Sequence, residues 1–248
     1  MSRRLPLYAV LMLSLLVACG PGEPPAAPAG PATVIVTVDR GGGLAPPVER
    51  WTLPDLTLFG DGTAVVRGET RGAVLTGIRR TVPPDRITEL YRLADRAGLF
   101  EDHVYDRDIQ DGDVLTVRIA DQAGIHETTV VGPGEDDGGD RGEVREFADA
   151  ALGSGTDAGD YQPEQYAVLV MAGSDGRGEA RPWPLAVPLS ALPGAPAQPC
   201  QVLGRSEAEP LLPALRDAGP DTRWDAEGHR VTLVVRPLLP GEQTCADL

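Results

Sequence analysis

Lysine and asparagine are both missing from this 248-residue chain, so every side-chain cation apart from histidine is an arginine. Without lysine there is no Ser-Lys dyad, no Schiff-base amine and no P-loop lysine. Without asparagine there is no acceptor for N-linked glycan. Histidine is limited to His103, His126 and His229, and a hydrolytic triad would need one of them beside a serine and an acid. Gly153-Ser154-Gly155 does not have the Gly-x-Ser-x-Gly spacing and follows an expected helix, where a nucleophile elbow follows a strand. The cysteines number three, in no zinc-binding spacing, and aromatic residues make up 4% of the chain. Basic residues are scarce against acids, 22 to 37. A field of that sign repels phosphate backbones and argues against nucleic acid as a partner.

What is present begins with the first 18 residues. Arg3 and Arg4 precede an apolar run over residues 5–16 that is shorter than the ~20 residues a membrane-spanning helix needs and contains Pro6. Leu16-Val17-Ala18-Cys19 follows, an apolar residue and small residues before a cysteine. The stretch resembles the lipobox of bacterial lipoprotein signal peptides. That resemblance implies removal of residues 1–18, diacylglycerol on the Cys19 thiol and palmitate-type acyl chains in the cell membrane, with the mature chain on its extracytoplasmic face. Two acyl chains anchor stably where one is marginal, each buried methylene contributing about 0.8 kcal/mol. Loss of the two leader arginines takes the net charge from −15 to −17. Residues 2–7 also resemble a twin-arginine signal with Pro6 where an aromatic is usual, which leaves the export route open.

In an exported chain with Cys19 acylated, Cys200 and Cys245 are the remaining thiols, and oxidising compartments join such pairs. From Cys19 to Ala32 the chain is almost entirely Pro, Ala and Gly, the composition of a semi-extended tether.

The rest reads as α+β, in two similar lobes that each pack an antiparallel sheet with one or two helices. The first lobe is expected over 33–153. Strands are expected over 33–38, 53–59, 63–67 and 73–82, the second and third joined across Gly60-Asp61-Gly62. A helix follows Pro83-Pro84-Asp85, with Ile87, Leu90, Tyr91, Ala94 and Ala97 on one face and Gly98 at its end. A hairpin over 114–120 and 125–131 and a helix over 141–152 complete it. Residues 154–162, rich in Gly, Ser, Thr and Asp, are expected to be a linker. The second lobe is expected over 163–248, with strands at 166–171 and 184–189 flanking a Gly-rich turn, a helix at 206–218 strained by Pro210 and Pro213, and a hairpin at 222–225 and 229–236.

The spacing of the first helix and hairpin, together with Trp224 and the ending Arg236-Pro237-Leu238-Leu239-Pro240-Gly241-Glu242 before Cys245, resembles uncharacterised lipoproteins of high-GC Gram-positive bacteria. The resemblance implies an envelope location and no activity.

Acidic stretches offer two candidate sites. Asp106 to Asp113 clusters oxygen ligands beside Gly112, but its register does not match an EF-hand, which argues for a solvated loop. Glu135-Asp136-Asp137 with Asp140 reads as an exposed charged loop. Trp51, Trp183 and Trp224 could stack on sugars if exposed together and otherwise fill cores. No catalytic residue, metal or cofactor is assigned. The expectation is a non-enzymatic binding module with an envelope-protein or cell-wall partner. The alternative is a carboxylate-dependent hydrolase of envelope material, and a convergent, partly buried Asp/Glu pair in a cleft would favour it.

Overall fold

The structure, a computed structural model, describes residues 24–42, 51–172, 180–194, 198–219 and 222–248. The leader, Leu16, Val17, Ala18 and Cys19 lie outside the described residues, as does the Gly-rich turn after residue 172.

The chain is α+β, and its described residues build two sheets. In the first lobe, β1 (Val34–Gly42), β2 (Leu56–Phe59), β3 (Thr63–Arg67) and β4 (Gly77–Thr81) run antiparallel. The β2–β3 turn forms as its residues require: Gly62 sits at φ +83°, and Asp61 Oδ1 accepts the Thr63 amide at 2.8 Å. α1 (Pro84–Arg96) starts with proline at its first position, where the ring costs no hydrogen bond, and Gly98 at φ +67° follows its last turn. Then come β5 (His103–Tyr105), β6 (Asp113–Ala120), β7 (Ile125–Val131) and α2 (Gly139–Leu152). With β8 (Thr156–Asp160) the sheet has eight strands in the order β5-β7-β6-β1-β2-β3-β4-β8, and β5 joins β7 in parallel.

Period-two alternation decides the sheet's faces. Val36, Val38, Leu56, Leu58, Leu115, Val117 and Ile119 point one way and meet Leu90, Tyr91, Ala94, Val144, Phe147 and Ala151 of the two helices. The opposite face carries Thr37, Asp39, Thr57, Arg67 and Arg118, and part of it meets the second lobe through Phe59, Val65 and Leu239.

The second lobe is smaller. It contains β9 (Gln165–Ala172), β10 (Ala180–Pro182), β11 (Cys200–Gly204), α3 (Arg205–Ala208), α4 (Leu212–Arg216), β12 (Arg223–Ala226) and β13 (His229–Pro237). The five strands run β10-β12-β13-β9-β11. Tyr166, Val168, Leu203, Leu233 and Val235 face Ala208, Leu212 and Leu215.

Several elements differ from expectation. The helix over 206–218 is two short helices, because neither Pro210 nor Pro213 can donate the bond a continuous helix needs there. Residues 184–189 form no strand; Pro184 and Pro188 lack donors, and the pairing segment is β10, parallel to β12. The expected linker at 154–162 holds β8, which closes the first sheet against β4 and ties Asp157 to Arg80 at 2.7 Å. All five of its residues are exposed, so it has no apolar face to reveal a strand.

The strand expected over 73–82 is divided between the lobes. Gly77–Thr81 stays in the first sheet, while Ala73-Val74-Leu75 joins the second beside Val235, with Leu75 N to Val235 O and Val235 N to Ala73 O both at 2.8 Å. β12 pairs with β13 only as far as Val231, and this segment fills the edge beyond. The boundary between the lobes is therefore not a single cut. Nor is the whole tether free, since Ala27 packs on the first core.

Candidate functional site

The second sheet has an apolar face on the side away from α3 and α4. Alternation there places Leu169 and Ala167 of β9, Val234 of β13 and Cys200 and Val202 of β11 side by side. No α-helix among the described residues packs on that face. It is covered by Trp51, by Leu75 and by the C-terminal tail.

The tail is held at two points. Cys200 and Cys245 form a disulfide with their Cα atoms 6.3 Å apart, as expected for this pair. Further in, Arg236 donates through both terminal nitrogens to Glu242, at 2.6 and 2.9 Å, and Glu242 also accepts the Leu239 amide at 2.7 Å. A last helical turn at Cys245–Asp247 is capped by Thr244, whose hydroxyl accepts from the Ala246 amide at 3.2 Å. Asp247 accepts the amides of Gln243 and Thr244, which hold its carboxyl below the ordinary range.

Between sheet and tail runs a groove of about 560 Å³, within the range of small-ligand sites. Trp51, Leu169, Val202 and the disulfide supply its apolar surface. Its polar lining side chains include Gln198, Gln243 and Thr244, all neutral. None of its described lining residues is an acid, histidine or arginine. Such a lining can desolvate an uncharged chain and hydrogen-bond it through amides, and among the described residues it holds no ionisable side chain.

The residues singled out as candidate chemistry are dispersed. Trp224 is buried in the helix-side core and Trp183 donates to Val187 O at 2.8 Å, so the three tryptophans form no common platform. Ser154 is buried, donating to Ala150 O at 2.6 Å and accepting from Arg86 Nε at 2.9 Å, which engages it at the end of α2. His126 lies on the helix side of β7, edge-on to Phe100 and 3.4 Å from Asp121. His103 stacks on Tyr105 and His229 opens β13, exposed. Among the described residues no group of three His, Cys, Asp or Glu side chains could hold a metal ion.

The second acidic stretch differs from an exposed loop at one residue. The Asp137 side chain is 1% exposed, accepts the Gly134 amide at 3.0 Å and lies 2.7 Å from Arg107 and 3.2 Å from Arg141. Arg141 in turn donates to the carbonyls of Tyr105, Val131 and Gly132, joining the two acidic loops to α2. The Gly134 amide, then the two guanidiniums, hold the Asp137 carboxyl below its ordinary range against the opposing effect of burial. A depressed folded-state pKa stabilises the fold above the unfolded value near 4 and loses that contribution as pH falls through the lower folded value. Asp137→Asn is expected to cost about 1.5–3 kcal/mol at neutral pH, the range for hydrogen bonds to charged groups. Chemical denaturation at a series of pH values checks this: the gap to wild type narrows below about pH 4. A gap independent of pH would assign the loss to packing alone.

One carboxylate pair does converge. Arg67 lies 2.8 Å from Asp39 and 3.5 Å from Asp55 on the outer face of the first sheet. Burial raises the Asp39 carboxyl, with Asp55 adding to the effect and Arg67 opposing it. The intervening guanidinium neutralises one of the two charges.

Comparison with known protein families, curated proteins and solved structures finds no match for this chain. No helix among the described residues is long and apolar enough to cross a membrane. The disulfide is compatible with an extracytoplasmic location.

Proposed function

We propose that the chain is a lipoprotein of the cell envelope, acylated at Cys19 on the extracytoplasmic face. Its second lobe binds an uncharged segment of an envelope-protein or cell-wall partner. The observation that carries the binding half is the groove under the disulfide-pinned tail, whose described lining contains no ionisable side chain. The anchoring half rests on Leu16-Val17-Ala18-Cys19 and on a mature surface too acidic to adhere to anionic headgroups by charge.

Two substitutions test the halves separately. Cys19→Ala is expected to abolish acylation, read by intact mass, and to move the protein from the membrane to the soluble fraction. Val202→Arg puts a charge into the groove and is expected to abolish partner crosslinks from a photoreactive residue at Gln198 in intact envelope, with the protein still membrane-bound. Residues 1–18 on the native product ahead of an unmodified thiol would overturn the anchor. Undiminished crosslinking by Val202→Arg would overturn the groove.

The two carboxylates that meet on Arg67, Asp39 at 2.8 Å and Asp55 at 3.5 Å, are the observation behind a second reading, carboxylate-dependent hydrolysis of envelope material. Asp39→Asn separates the readings, since it removes turnover of cell-wall material in a hydrolase and leaves groove crosslinking untouched in a binding module.

A further inference from the structure

Residues 24–32 do not hang free. Pro24, Pro25, Ala27 and Pro28 are half-buried, and Ala27 packs against the core of the first lobe. The segment crosses the β2–β3 turn so closely that a side chain on Gly60 would run into Pro28 O and come within 2.9 Å of Ala29 Cα. Thr33 N donates to Gly30 O at 3.3 Å and Gly60 N to Thr33 O at 2.9 Å, completing the attachment.

The register of β1 says which end of the lobe this is. Val34 pairs with Phe59 and Val36 with Ile119, so the turn at Gly60-Asp61-Gly62 and the turn containing Gln122 lie at one end of the sheet. Gly42 pairs with Asp113 at the other, beside the loop that carries Gln110. The nine residues of β1 separate these ends by ~27 Å.

Five peptide links join Cys19 to Pro24, and they reach at most ~18 Å. A free tether from Cys19 to Thr33 would have fourteen links and reach ~43 Å when polyproline-like. We propose that the lobe stands at short range over the bilayer with its Gly60-Asp61-Gly62 end facing the lipid surface and the Gln110 loop facing away. This inference rests on acylation of Cys19. Asp61 and Asp85, exposed near that end, are both acidic, so the short chain and not headgroup attraction sets the distance.

The test uses the acylated full chain in phosphatidylcholine vesicles carrying an energy acceptor on a small fraction of headgroups. A fluorescent amino acid replaces Asp61, Gln122 or Gln110 in turn. Emission is expected to fall by more than half at positions 61 and 122 and to persist at 110. A Gly/Ser insert of about 12 residues between Cys19 and Pro24 adds ~20 Å of reach and is expected to restore emission at 61. Gly60→Val, checked for retained fold by circular dichroism, displaces the Pro28 and Ala29 backbone and is expected to do the same. Equal losses at all three positions, or no response to the insert, in protein whose acyl mass is verified would overturn the orientation and leave the anchor standing. Protein that lacks the acyl mass and does not bind vesicles would overturn both.

Discussion

Replacing Glu242 with alanine is expected to lower stability by about 3–5 kcal/mol, the cost of leaving one partner of a buried ion pair without the other. Arg236 has a side chain 5% exposed and Glu242 one 17% exposed, and their two-pronged contact takes most of both groups out of water. Arg236 lies on the same face of β13 as Val234, so its stranded guanidinium would sit against apolar neighbours. The Leu239 amide loses its acceptor in the same step. At roughly 2–4 °C per kcal/mol for a chain of this size, the melting temperature should fall by about 10 °C. The double variant Arg236→Met, Glu242→Leu removes both charges and is expected to recover most of the loss, since apolar replacements of a buried pair are often neutral or better. Denaturant titration of the two variants checks the argument. A loss under 1 kcal/mol in Glu242→Ala, or no recovery in the double variant, would mean that the pair does not hold the tail.

Much of the first lobe was legible because its periods are clean. In β6 and β7 alternate residues are buried, and in α1 the apolar side chains recur at helical spacing beside Pro84 and Gly98, so local chemistry and tertiary need agree. β8 was not legible for the converse reason: an exposed edge strand needs no apolar face, and Thr-Asp-Ala-Gly-Asp has the composition of a loop. Ala73-Val74-Leu75 reads as strand, but nothing local says which sheet it joins; that depends on where β12 stops. The cysteine pair was predictable from compartment and count, whereas the groove beneath it was not. Trp51, Leu169, Val202 and Thr244 come from four distant segments, and none of them has a composition that marks a site. Asp137 was hidden in a run of acids; the signal that could have found it is Arg141, four residues on along the chain.

Removing the disulfide with Cys200→Ser and Cys245→Ser is expected to cost about 4 kcal/mol, the chain-entropy value for a crosslink at a sequence separation of 45. The loss should be local in its structural effect. Arg236 and Glu242 still hold the tail as far as residue 242, so the segment released is 243–248, which carries Thr244 and residue 245 of the groove lining. With that segment gone, Leu169 and Val202 face solvent, and a dye that fluoresces on apolar surface should bind where it does not bind the oxidised protein. β1 and β6 lie in the other sheet, and their amide exchange should change only as far as global stability does. Unchanged stability would mean that the tail docks without its crosslink. Loss of protection in β1 and β6 beyond the global change would mean that the lobes unfold as one unit, with Ala73-Val74-Leu75 and the Tyr161 hydroxyl bond to Leu238 O coupling them.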